Sequence, residues 1–318
     1  MKIKNLLPLI GIALFVYIIV STGPTKIMSS FQELNKLHLF YYLLLAILIF
    51  VPITLLQTLK WYLILKKQNI TLPFLYLIKL QIISTYYSSI TPGKLGSFIK
   101  VSYIQNKTKK PFGEAFSSVL ADRILDLITL CILSLIGSLL LVEYSSQILF
   151  KILIPIIILC FIIFFFIGKK RSSFILLFVY KFLIPHKLKS KAKESFNLFY
   201  DTLPRIKHLT LPFLLTILVW VLIYTQTYII ALSFDIKIPY YYFIPIFAIS
   251  TVVTLIPVTI AGLGTRELTL ITLFKLFLIK PEKVVSMSLF WVIISTLILA
   301  IPGIYLTFKN EIHTKQTD

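Results

Sequence analysis

Charge is scarce in this chain. Only 14% of its 318 residues are Asp, Glu, Lys or Arg, and 12 of those are acidic, while 58% are hydrophobic and mean hydropathy is +0.93. A soluble domain holds roughly a quarter of its residues as charges, so that class is excluded. Cysteine is scarcer still: Cys131 and Cys160 fall inside apolar runs without metal-type spacing and read as buried thiols. The histidines, His38, His186, His208 and His313, are scattered. No Walker-type phosphate loop is present, so ATP is not the direct driver of any activity within the chain. No cofactor and no metal is expected. The alternating pattern of a membrane barrel is also missing, which leaves helices, whose backbone polar groups are satisfied within each segment.

Apolar length is what the chain has instead. Windows of some 18 or more nearly uncharged residues, rising about 1.5 Å per residue, cross a hydrocarbon core roughly 30 Å thick. Full spans are read near 6–22, 39–59, 116–142, 148–167, 209–232 and 284–307. The 32 basic residues against 12 acidic ones give a net charge of +20, which in a soluble protein would suggest nucleic acid. Here the basic residues cluster between apolar segments: Lys66 and Lys67, the group from Lys94 to Lys110, and the connector from Gly168 to His208. Cytoplasmic retention of these loops and contact with anionic lipid explain them, and no nucleic-acid partner is expected. The expected location is the cytoplasmic membrane, with a cytoplasmic N-terminus. Residues 1–22 read as an uncleaved first helix rather than a cleaved signal peptide: the run from Leu6 to Val20 is long for a signal core, and "VSTGPTK" lacks a convincing small-x-small site.

The stretch "SSITPGKLGSFIK" interrupts an apolar run and then resumes it. If residues 71–92 crossed fully, Lys94, Lys100, Lys107, Lys109 and Lys110 would face outward, against the lysine bias of the other loops. The reading is therefore a re-entrant hairpin hinged at Pro92, Gly93 and Gly96. Residues 240–280 repeat the device with Pro257, Gly262 and Gly264 at the hinge, and each hairpin leads through a proline-led loop into a full span. An odd number of spans separates the two copies, which inverts the second. The expected fold is thus an all-α, polytopic membrane helix bundle in one domain, 1–318, with two re-entrant broken-helix hairpins in an inverted repeat. Repeat one covers about 71–142 and repeat two about 240–307. Between them, residues 168–208 form a basic connector whose second half spaces Leu188, Ala192, Phe196, Phe199 and Leu203 as an amphipathic helix. Topological retention and collection of anionic lipid are both open roles for it.

"SSVLADRILDLITL" places Asp122, Arg123 and Asp126 on one face of an apolar helix, with Asp126 roughly 15 Å deep at about 1.5 Å per residue. Each such charge costs about 2.5–3.5 kcal/mol at mid-membrane, so the group needs an ion pair that fixes packing, or a wet cavity. Arg266 and Glu267 follow Gly264, where a returning half-helix begins. Glu267 suits a helix N-terminus as a cap; Arg266 gains nothing there and points instead to an anion gripped in bidentate fashion. Lys94 and Lys100 flank the matching break, either for the same purpose or as lysines snorkelling to the interface.

At these residues the chain resembles the lysylphosphatidylglycerol synthase transmembrane-region family, also described as flippase-like or UPF0104. Its three signature stretches are usually Pro-Gly-basic-x-Gly-Glu with a later Arg, Glu-Arg with a following Asp, and Gly-x-Gly-x-Arg-Glu. Pro92, Gly93, Lys94, Gly96 and Lys100 match the first by type, Arg123 and Asp126 the second, and Gly262, Gly264, Arg266 and Glu267 the third. Ser97 and Asp122 stand where Glu is usual; with Ser97 there, the resemblance supports no role that needs a carboxylate in hairpin one.

The resemblance implies a lipid-handling membrane protein. In two-domain relatives the membrane part is associated with flipping aminoacylated phosphatidylglycerol, and a separate soluble domain performs aminoacyl transfer. The chain ends at Asp318, shortly after its last span, so the transferase part is expected to be absent. The leading expectation is a flippase-like transporter of an anionic phospholipid or polyprenyl-linked headgroup, with no catalytic residue. Lys94, Lys100, Arg123 and Arg266 would hold phosphate, and Asp122, Asp126 and Glu267 would balance charge or carry protons. A membrane-embedded lipid-modifying transferase, and a scaffold for a separate lipid-modifying enzyme, are the alternatives. Membrane lipids, anionic in character, are the expected partners.

Overall fold

A computed structural model of the chain describes residues 7–34, 36–142, 157, 161, 189–255, 259 and 262–315. Every regular element among them is helical, as the hydropathy pattern requires. In order these are α1 (Leu7–Thr22), α2 (Pro24–Gln32), α3 (Lys36–Lys67), α4 (Phe74–Ile90), α5 (Ile99–Thr108), α6 (Phe112–Leu140), α7 (Lys189–Thr202), α8 (Ile206–Ser233), α9 (Tyr240–Leu255), α10 (Thr265–Phe274) and α11 (Pro281–Lys315). A short 3₁₀ turn, Pro92–Phe98, joins α4 to α5, and another, Lys275–Phe277, ends α10.

Among the described residues, Phe40–Lys67, Phe112–Leu140 and Ile206–Ser233 are each long and apolar enough to cross a membrane alone. Their outward faces are apolar: Leu48, Val51, Leu139, Leu211 and Leu214 are all exposed, an arrangement suited to lipid rather than water. One boundary differs from the sequence reading. The span expected at 39–59 continues unbroken to Lys67, because Lys60 is paired inside the protein and does not mark an interface. The first helix ends at Thr22 as read, and the chain then turns by 72° at Gly23 into α2, where Gly23 takes φ 93 and Pro24 opens the new helix. The span expected at 148–167, Pro257, and the first part of the connector lie outside the described residues, except Ile157 and Phe161.

Both predicted hairpins are broken helices. α4 ends at Ile90, the chain reverses through Gly93 (φ 60) and Lys94 (φ 57), and α5 follows. α9 ends at Leu255, and Gly262 (φ 76) and Gly264 (φ 85) lead into α10. Each short helix then closes on a left-handed residue, Lys109 (φ 57) or Leu278 (φ 58), ahead of the proline that begins α6 or α11. The half-helices pack closely through glycine. A side chain at Gly96 would meet the backbone at Tyr87 and Ser88, and one at Gly262 would meet the Thr254 side chain.

Packing between the two halves is reciprocal, and it extends the likeness one helix further back than the sequence reading. α3, which precedes hairpin one, lies along α8, which precedes hairpin two. α9 crosses α6, and α4 crosses α11, so the first half-helix of each hairpin rests on the long helix of the other half. Each crossing is cut into a glycine: a methyl at Gly137 would approach Pro245 Cβ to 2.7 Å, and one at Gly303 would approach Tyr86 Cβ to 2.6 Å. A core of α6, α8, α9, α10 and α11 side chains, including Tyr224, Phe243, Phe247 and Phe274, locks one half. A second core around Trp61, Leu77, Ile83 and Val119 locks the other. α7 lies across the start of α6, where Gln68 Nε2 donates to Ser117 Oγ (2.8 Å) and to the Thr202 carbonyl (3.1 Å).

Candidate functional site

The glycine turns bring both breaks to one cavity of about 240 Å³ between α3, α4, α6, α8, α9 and α11. Gly93 and Lys94 enter its wall from hairpin one, Gly262 and Arg266 from hairpin two, and Asp122, Arg123 and Asp126 from α6. Residues predicted from three separate stretches therefore share one space.

The carboxylates of α6 are organised by a residue that the sequence reading missed. Lys60, on α3 and fully enclosed, reaches Asp122 Oδ1 and Asp126 Oδ1 at 2.8 Å each. Arg123 Nη1 lies 3.3 Å from Asp126 Oδ2, and Trp220 Nε1 donates to Asp126 Oδ1 at 3.3 Å. Lys60 was legible in principle as a cation set inside the apolar run of α3, short of the pair Lys66 and Lys67 that ends it, a sign of an intramembrane ion pair. Trp220, Trp291 and Gln81 carry no such signal; only packing sets them at the cavity.

Lys100 stands differently from its expected position. It does not line the cavity and does not snorkel; its side chain is wholly buried behind the wall. Its Nζ donates to Gln81 Oε1 at 2.7 Å, lies 3.4 Å from Asp122 Oδ2, and sits 4.2 Å from the centre of the Trp61 ring. The helical register of α5 explains this, since Lys100 shares its inward face with Val101 and Ile104. Such a lysine supports the carboxylate rather than meeting a ligand.

In hairpin two, Glu267 serves as a cap and also as a partner. Its Oε2 accepts from the Gly264 N–H at 2.6 Å, and its Oε1 accepts from Arg266 Nη2 at 2.7 Å and from Ser288 Oγ at 2.6 Å. Arg266 Nε also donates to Ser288 Oγ at 3.0 Å, and its guanidinium carbon lies 5.0 Å from the Trp291 ring centre. The helix-terminal carboxylate thus fixes the arginine in the wall, as a supporting group fixes a binding group. Glu267 itself is fully buried and does not reach the cavity.

Lys94 is the exception in this network. Among the described residues it forms no ion pair with a carboxylate; it stands 5.3 Å from the Trp220 ring centre and lies near the charges of Arg123, Asp126 and Arg266. Its left-handed backbone is costly for a residue with a Cβ, about 1–2 kcal/mol, and places the ammonium at the hinge itself. Pro92 opens this turn; Gly96 is held there by its amide, which donates to Thr91 Oγ1 at 2.7 Å. Buried Ser97 donates to the Lys94 carbonyl at 3.1 Å and thereby braces the turn.

Helices with lipid-compatible faces, two broken hairpins and a charged cavity between them define a polytopic helical membrane protein. The chain belongs to the family described as the lysylphosphatidylglycerol synthase TM region, whose model matches residues 8–303. A UPF0104 membrane protein of Pyrococcus horikoshii is 26% identical over 330 aligned positions, covering 97% of each chain. A UPF0104 membrane protein of Methanothermobacter thermautotrophicus is 24% identical over 331 positions, covering 95% of this chain and 96% of the relative.

Proposed function

We propose that the cavity is a headgroup site and that the protein is a flippase-like transporter of an anionic phospholipid or polyprenyl-linked lipid. The observation that carries this reading is the meeting of Lys94, Arg123 and Arg266, from hairpin one, α6 and hairpin two, around one space at the two hinges. Cations on both sides of a pair of hinges hold a phosphate in a position that either half can release. We place the protein in the cell membrane with a cytoplasmic N-terminus and the hairpins entering from opposite leaflets. The lysine bias of the loops and the reciprocal packing of the halves favour that arrangement.

Lys94→Ala provides the cleanest test, because among the described residues Lys94 pairs with no carboxylate and its loss leaves the buried pairs intact. In proteoliposomes with a fluorescent anionic phospholipid, the variant should translocate at least about tenfold more slowly, equivalent to about 1.4 kcal/mol of lost transition-state or binding energy. Unchanged translocation alongside loss of cellular phenotype would favour a scaffold for a separate enzyme, and a chemically altered lipid would favour a transferase.

A further inference from the structure

We infer that the site is built for a doubly charged phosphate group, a phosphomonoester or a diphosphate, in preference to the singly charged phosphodiester of common phospholipids. This rests on the reading of the cavity as a headgroup site and concerns which headgroup it accepts. Among the described residues five cations converge at the cavity and its inner wall, Lys60, Lys94, Lys100, Arg123 and Arg266, against three carboxylates, Asp122, Asp126 and Glu267.

The carboxylates are already fully engaged. Asp122 is shared by Lys60 at 2.8 Å and Lys100 at 3.4 Å, and Asp126 by Lys60 at 2.8 Å and Arg123 at 3.3 Å. Three cations on two carboxylates leave one positive charge on that wall. Arg266 and Glu267 close as a neutral pair at 2.7 Å. Lys94 adds the second charge: among the described residues it forms no ion pair, and it stands near two cations, Arg123 and Arg266, and one carboxylate, Asp126, which Lys60 and Arg123 already share. Two like charges enclosed by protein are expensive unless a counter-charge enters with a ligand. A phosphomonoester brings about −1.5 to −2 near neutral pH, which balances the site; a phosphodiester leaves one cation unmatched. Apolar residues at the same cavity, Phe50, Ile53, Ile223, Phe247, Val292 and Ile298, suit a hydrocarbon chain and so favour a lipid over a free anion.

Tryptophan fluorescence offers a direct measurement, because two of the chain's three tryptophans, Trp220 and Trp291, line the cavity. The full chain in phosphatidylcholine nanodiscs is titrated with phosphatidic acid and with phosphatidylglycerol of the same acyl chains, at neutral pH. Phosphatidic acid should bind at least about tenfold more tightly. Lys94→Gln should cut the preference to about threefold or less, and Lys94→Arg should restore it. Equal affinity for the two lipids, or a preference that survives Lys94→Gln, overturns the inference and leaves the transport reading standing. Failure of both lipids to bind, or equal competition by inorganic phosphate, overturns the lipid-headgroup reading as well.

Discussion

Lys60 bears more of the site's structure than any cation that the motifs single out. It lies between two carboxylates at 2.8 Å, with no water-exposed surface to fall back on. Removing one member of such a group leaves the others charged and unpaired, which costs about 3–5 kcal/mol. Lys60→Met should therefore lower the thermal midpoint strongly in detergent. The double variant Lys60→Met/Asp122→Asn should recover part of the loss, because it removes one of the two carboxylates left behind. A thermal-shift series on the two singles and the double measures that coupling. If the double is as unstable as the sum of the singles, the pairing described here is not the source of the stability.

This residue also shows how far the sequence could be read. Asp122, Arg123 and Asp126 were visible as charges on one helical face, and their cost in lipid demanded partners. Who the partners are was not visible. Lys60 lies 62 residues before Asp122, on a helix whose basic C-terminal end, Lys66 and Lys67, made Lys60 look like part of an interface. Lys100 failed in the opposite sense: adjacency to the Gly96 turn suggested a ligand contact, whereas helical register turns it into the wall. Arg266 and Glu267 were separable by chemistry alone, since only the acid gains from a helix N-terminus, and that is how they divide in the fold.

At the scale of elements, each hairpin depends on a glycine that cannot carry a side chain. Gly262 combines φ 76 with the Thr254 side chain against its Cα, while Gly96 lies against the backbone at Tyr87 and Ser88. Gly262→Ala should cost at least about 1–2 kcal/mol from the left-handed backbone alone, and Gly96→Ala should be destabilising through contact rather than conformation. Thermal unfolding reads the stability of both. Lipid translocation then separates a merely weakened fold from a hairpin displaced from the cavity: a hinge role predicts lost transport at temperatures where the variant is still folded. Glycine in a short motif was readable as a break. Whether it served backbone angle or close approach depended on what lies opposite, which sequence does not contain.

For the whole molecule, the decisive quantity is the direction of the two halves. Lys109 and Leu278 occupy equivalent left-handed positions at the ends of the two hairpins, and both are exposed. Cysteine at each, probed with a membrane-impermeant maleimide, should be labelled from opposite sides: Lys109→Cys from the cytoplasm and Leu278→Cys from outside. Labelling from the same side would remove the inverted arrangement and the alternating use of the hinges with it. The reciprocal crossings of α9 on α6 and α4 on α11 make the outcome a property of the packed pair rather than of either hairpin alone.

Composition and apolar length determined by themselves that this chain is a helical membrane protein, and the Pro and Gly breaks determined where its helices are interrupted. Both are local properties: the lipid environment acts on each segment separately, so each segment states its own answer. Only the tertiary structure decided that Lys60 answers the α6 carboxylates, that Lys100 is withdrawn, and that the two breaks face one cavity. Those outcomes come from contacts between segments far apart in the chain, where burial of charge is settled by which helices pack together.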